Sequence, residues 1–361
     1  MVKSKVYFIP LSGESAEQER IKAVKTVCKL PEIDGIVHKN DMVAVKIHVG
    51  EKKNTTYIKP VLVKPIIEKI KRSGGLPFLT ETSTLYKGER SNAIDHINCA
   101  YSHGYTPQNV GASFIMADGL LGNTEIEVDI QGKLMNKVSI AREVVMADTL
   151  MILTHATGHI GMGFGGALKN MGMGLASRKG KLRQHSSINP YIDETACTFC
   201  KKCIEWCPED AIVPVQGQKD YVSIQKEKCI GCGECLTVCN FAAVKYNWGT
   251  ESADLQRNMV EHVLGVMKGK EKKSFFITYL TDMTMDCDCI NKSQNILIPD
   301  IGICASVDPV ALDQACLDLT EQRNGKHIGS LSYPQFNPYI QVEHGAELGL
   351  GNREYELEQI G

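Results

Sequence analysis

Residues 197–208 read CTFCKKCIEWCP, and residues 229–240 read CIGCGECLTVCN. Each stretch is C-x2-C-x2-C-x3-C. Cys197, Cys200, Cys203 and Cys207 recur 32 residues later as Cys229, Cys232, Cys235 and Cys239. The same offset carries Ala211 to Ala243 and Ile212 to Val244, so this part of the chain is a duplicated unit. Such a run wraps three thiolates around one face of an iron–sulfur cube, and its fourth Cys ligates the other cube. The spacing therefore predicts two 4Fe–4S clusters. One takes Cys197, Cys200, Cys203 and Cys239; the other takes Cys229, Cys232, Cys235 and Cys207. Structural zinc takes four ligands, commonly as C-x2-C pairs, and suits two triplets each followed by a further Cys less well.

The stretch resembles the bacterial two-cluster ferredoxins, whose closing Cys-Pro is met by Cys207-Pro208; Asn240 stands where the second half would carry its Pro. Between the halves, VPVQGQKDYVSI reads as a short hairpin turning around Gly217.

Around this unit lie enough apolar residues, 43% of a 361-residue chain, to build a sizeable core and to exclude chain-wide disorder. Forty basic against forty-two acidic side chains leave a formal charge of -2, with no overall field for nucleic acid or an anionic membrane, and neither partner is expected. The N-terminal stretch lacks the apolar centre of a secretory signal, and no run of about 18 apolar residues occurs. A cytoplasmic protein is expected, in which fourteen cysteines bind metal or do redox chemistry rather than form a disulfide framework.

Residues 1–155 alternate short apolar runs with amphipathic ones. Strands are predicted at Lys5–Ile9, Met42–Val49, Leu76–Thr80, Ser113–Met116 and Thr149–Thr154, with helices at Ser15–Cys28, Lys59–Arg72, Ser91–Ser102 and Ser139–Ala147. After the cysteine repeat the texture returns, with helices at Ala253–Met267 and Pro309–Thr320 and strands at Phe275–Leu280 and Ile296–Pro299; the tail after Ser330 reads weakly. This predicts an α/β fold, a largely parallel open sheet with helices on both faces, interrupted by a small α+β ferredoxin-like domain. The expected division is 1–187, 188–248 and 249–361.

Ligands of open parallel sheets bind beyond the carboxyl ends of the strands. The residues that follow the predicted strands are His48, Glu81 and Thr82, His155 and His159, Asp282 and Asp300. Polar strand ends are commonly caps or turns, so the collection carries more weight than any member. THATGHIGMGFGGALKNMGMGLAS holds a G-x-G-x-x-G at Gly161, Gly163 and Gly166, late in the chain for a dinucleotide fingerprint and without the Lys-Ser/Thr of a P-loop. A general anion-binding turn, with Lys169 as point charge and Asn170 as hydrogen-bond partner, fits better, against a tightly packed glycine loop. Arg178, Lys179, Lys181, Arg183 and His185 form a basic run that suits an acidic ligand or a solvated linker equally. Cys287 and Cys289 are candidate ligands of a further metal ion, since side chains at i and i+2 of an extended segment share a side. Cys28, Cys99, Cys304 and Cys316 read as core.

KNMGMG, the C-D-C segment and SVDPVALDQA, around an inserted two-cluster ferredoxin, resemble the domain-of-unknown-function 362 family. The resemblance implies the interrupted architecture and draws attention to His155, Lys169, Asn170, Cys287, Cys289, Asp308 and Asp313, while Asp308 before Pro309 reads most simply as a helix cap. The leading expectation is an iron–sulfur oxidoreductase. In it Lys169 neutralises a small anionic substrate, His155 or His159 donates a proton, and His48, Asn170 and Asp300 bind substrate. The alternatives are a non-catalytic electron-transfer protein docking a redox partner or electron donor, and a binding protein with structural clusters.

Overall fold

The computed structural model describes residues 3–185, 190–246 and 251–361; the expected boundaries at 187/188 and 248/249 lie outside them. Eight strands form one sheet: β1 (Ser4–Gly13), β2 (Met42–Lys46), β3 (Leu76–Glu81), β4 (Ser113–Met116), β5 (Thr149–His155), β6 (Ser274–Leu280), β7 (Asp300–Ser306) and β8 (Tyr355–Gln359). Their spatial order is β8-β1-β7-β6-β5-β2-β3-β4. Only β7 is reversed, pairing antiparallel with β1 and β6, so the sheet is largely parallel.

The inner strands are apolar on both faces. In β5, Leu150 and Ile152 enter one core while Met151 and Leu153 enter the other, as a sheet covered on both sides requires. Helices α1 (Glu17–Val27), α2 (Pro60–Arg72) and α3 (Ala93–Ser102) cover one face. The other carries α4 (Ala167–Gly172), α6 (Ser252–Met267), α7 (Pro309–Asn324) and α8 (Tyr339–Glu347). A further helix, α5 (Arg178–His185), leads towards residues 190–246.

Three expectations change. Lys137–Ala141 is a strand paired with Glu125–Asp129, because Val138 and Ile140 alternate into the core; only Arg142–Met146 is helical. Ile296–Ile298 pairs with Met283–Thr284 outside the sheet, and the sheet strand is the apolar run that follows it, β7. The weakly read tail supplies α8 and the edge strand β8. Asp308 caps α7, its Oδ1 accepting the N–H groups of Val310 and Ala311 at 2.9 Å.

Residues 190–246 pack around a small core of their own, with the hairpin Ile212–Val215/Tyr221–Ile224 and the pair Tyr191–Ile192/Val244–Lys245. The sequence repeat is also a conformational repeat. Phe199 and Gly231, Lys201 and Gly233, and Asp210 and Ala242 all have positive φ, each pair 32 residues apart.

Candidate active site

β3 and β4 follow β2 to one side, whereas β5 and β6 lie on the other, so the strand order reverses at β2/β5. At the carboxyl ends of these strands, where such a reversal opens a crevice, lies a cavity of about 740 Å³. Its wall includes Lys46 and Glu81 from the ends of β2 and β3, Lys169 and Asn170 from α4, and Lys181 and His185 from α5. Five cationic side chains (Lys46, Lys87, Arg90, Lys169 and Lys181) face it against two carboxylates, Glu51 and Glu81.

The carboxylates are consumed within the wall. Glu81 accepts from Lys46 Nζ at 3.3 Å and from the Val49 N–H at 3.0 Å, and lies 3.5 Å from Arg90. Glu51 accepts from Arg90 Nε and from the Tyr86 hydroxyl, both at 2.9 Å. Burial alone would raise Glu81, but Lys46 and its other cationic neighbours hold it well below the usual range. Lys169 has no protein hydrogen-bond partner among the described residues, and burial together with Lys46 and Arg90 lowers it to about 8. Burial likewise lowers Lys181, which donates to Thr82 and, at 2.6 Å, to Ser83 O, to about 7. At neutral pH the cavity is a positive enclosure with one uncommitted ammonium.

His48 and His159 line it. Each accepts a backbone N–H at Nδ1, from Gly50 and Gly161 at 3.1 Å, so the neutral ring carries its proton on Nε2; burial keeps both neutral. Asn170 lines the cavity too, while its amide group ties α4 to β5 through Leu153 O at 2.9 Å. His155 does not face the cavity. Its Nδ1 lies 2.8 Å from Asp288 and its Nε2 2.8 Å from Thr281 O, so it braces the loop behind the wall instead of meeting a substrate. Asp300 is also elsewhere: because β7 runs backwards it starts at this edge, but it accepts from the Ser15 and Asp282 N–H groups and pairs with Arg20 at 2.8 Å.

The glycine turn is not a free anion site. The first N–H groups of α4, on Ala167 and Leu168, are taken by Asp313 at 2.7 and 2.9 Å. Nor is the basic run a solvated linker. In α5, Arg178 donates to Thr84 O and Ser91 O, Lys179 pairs with Glu127 at 2.7 Å, and Lys181 and His185, one turn apart, reach the cavity.

In the cysteine unit, Cys207, Cys229, Cys232 and Cys235 line one small cavity walled by Pro190, Pro208, Ile212, Ile224 and Ile230. The thiol of Cys203 is raised to about 11, chiefly by burial and then by Cys239, Cys200 and Cys197. The Ala211 and Ala243 N–H groups donate to Cys207 Sγ at 3.2 Å and Cys239 Sγ at 3.3 Å, again one repeat apart. No three His, Cys, Asp or Glu side chains among the described residues gather as for a single metal ion. Cys287 and Cys289 are brought together, but as a disulfide, a state in which neither sulfur is a thiolate ligand.

A family model described as a domain of unknown function, DUF362, matches residues 43–318, which takes in β3 to β7, all but the first residue of β2, most of the cavity wall and the cysteine unit. The chain belongs to the DUF362 family. Seventy residues of it, 19% of the chain, are 33% identical to pyruvate synthase subunit PorD of Methanothermobacter marburgensis and cover 79% of that subunit. Among solved structures, the lactate racemase apoprotein of Thermoanaerobacterium thermosaccharolyticum is similar at a TM-score of 0.41 and 13% identity, over 78% of this chain and 51% of that one. A Thermotoga maritima protein gives 0.42 and 10%, over 86% and 60%. The DUF362 chain thus spans about half to three-fifths of these two proteins.

Lys46, Glu51, Tyr86 and Arg90 are among the cavity residues that reading this DUF362 sequence did not single out. Lys46 had a signal, a lone lysine inside the apolar strand MVAVK. Glu51, Tyr86 and Arg90 lie in loops whose approach depends on the fold.

Proposed function

We propose that this chain is an iron–sulfur oxidoreductase whose ferredoxin-like module, inserted in an α/β body, serves a small anionic substrate in the cavity at the sheet edge. Cys197, Cys200, Cys203 and Cys239 would hold one 4Fe–4S cluster, and Cys229, Cys232, Cys235 and Cys207 the other; bound clusters supply single electrons. The donor set fits them. Buried thiols that raise one another's pKa cannot remain together as thiolates unless cations compensate them, and iron does so. The likeness to a pyruvate synthase subunit supports an electron-transfer role.

One observation carries the reading: Leu85–Gly88 lines the cationic cavity on one side and, on the other, the cleft bounded by Cys239 and Asn240. Lys87 Nζ donates to Asn240 O across that contact. Within the cavity Lys169 holds the substrate's charge, and His159, neutral, presents Nε2–H as a hydrogen-bond donor to it. Exposed Trp206 and Ile230, beside Cys207 and Cys229, offer an electron donor an apolar landing place.

The test is anaerobic iron and sulfide analysis with paramagnetic resonance, followed by a screen of small anions for reoxidation of the reduced protein. Eight irons with substrate-dependent reoxidation that weakens in Lys169→Ala support the reading. Zinc without inorganic sulfide, or reoxidation indifferent to Lys169, refutes it.

A further inference from the structure

We propose that Cys287 and Cys289 form a redox-active dithiol–disulfide couple in the cavity wall, which takes two electrons from the iron–sulfur module and passes them to a small anionic disulfide. This rests on the function proposed above and adds the class of substrate.

The two sulfurs are inequivalent. Cys289 lines the cavity, whereas Cys287 is buried behind it. The loop that carries them is fixed by its backbone: Glu51 N–H donates to Asp288 O at 2.9 Å, and the Tyr86 hydroxyl, whose one proton lies between Glu51 and this loop, is 3.2 Å from Cys289 O. Asp288, whose side chain leaves on the other side, is anchored to His155 and Thr56. Tyr86 is followed by Lys87, which touches Asn240 beside Cys239, so two consecutive residues join the disulfide loop to the cysteine unit. The cations around the cavity select an anion.

The chemistry balances as follows. The Cys287–Cys289 bond takes up two electrons, singly from the iron–sulfur reductant, and two protons, giving two thiols. Cys289, having released its proton, attacks one sulfur of the substrate, and the other half leaves as a thiol with that proton. Cys287, losing its own proton, attacks the Cys289 sulfur, which re-forms the internal disulfide and frees the second thiol.

The test uses the full chain prepared anaerobically with its iron. Titanium(III) citrate is the one-electron reductant, and N-ethylmaleimide labelling is mapped by peptide mass. Labelling of both cysteines only after reduction, and about ten-fold less labelling in Cys232→Ser with titanium but not with dithiothreitol, is expected. A pair still closed while paramagnetic resonance shows reduced clusters overturns the proposal. If no cluster signal appears, the function proposed above fails instead, and the couple is then judged on dithiothreitol-reduced protein with 5,5′-dithiobis(2-nitrobenzoate), a dianionic disulfide. Cys287→Ser should retain a thionitrobenzoate adduct on Cys289, and wild type should retain none. An adduct in neither protein, or a metal ion held by the reduced pair and lost in Cys287→Ser, overturns the couple.

Discussion

The carboxylate of Asp313 accepts the backbone N–H of Ala167 at 2.7 Å, joining α7 to the first turn of α4 across 146 residues of chain. Leu168 N–H donates to the second oxygen, so Asp313 fills the place an external anion would need. It thereby fixes α4, which carries Lys169 and Asn170 into the cavity wall.

Burial raises Asp313 from 3.8 to about 7, against the lowering effect of its two N–H donors. The folded chain therefore binds this proton more tightly than the unfolded chain. Its contribution to stability is most favourable below about pH 4, is lost as pH rises, and has gone above about 7, at up to about 1.4 kcal/mol per pH unit. Asp313→Asn should flatten this slope, and thermal unfolding midpoints between pH 4.5 and 8 would check it.

Gly166 precedes α4, and an added methyl would collide with the Asp313 carboxylate and the Phe164 ring, both buried. Gly166→Ala is expected to cost about 1–3 kcal/mol by overpacking. It should also weaken anion binding by displacing Lys169. Denaturant midpoints, read beside sulfate affinity, would show both losses.

Lys169, lowered to about 8, is charged below that pH and neutral above it. Sulfate bound in the cavity should therefore weaken as pH rises from 7 to 9, and Lys169→Met should bind it about 10- to 100-fold less tightly at pH 7, with a flatter profile. Isothermal titration calorimetry measures both. Equal affinity in the variant would show that the other cations suffice.

Cys239 belongs to the second half of the repeat, yet it acts on the buried Cys203 thiol of the first half together with Cys200 and Cys197. Cys239→Ser should damage the cluster site of the first half and spare that of Cys229, Cys232, Cys235 and Cys207. About four of eight irons are expected to remain. Loss confined to the second site would refute the crossed assignment, and metal analysis with paramagnetic resonance distinguishes the two.

The strand–helix order was legible in the sequence because its signals are local. A short continuous apolar run marks Met42–Lys46 as a strand, and Pro60 starts a helix. Asp300–Ser306 and Tyr355–Gln359 were missed because their places depend on distant partners, β1 in both cases.

For the site, the chain's own order determined the duplicated cysteine unit, the polar residues after successive strands and the glycine turn, since spacing along a backbone is a local property. Tertiary structure alone decided that Asp313 closes that turn, that His155 faces Asp288, and that Lys46, Arg90, Lys169 and Lys181 share one cavity. These groups come from separate strands, loops and helices, and burial and mutual charge, which set their chemistry, exist only once the sheet has assembled.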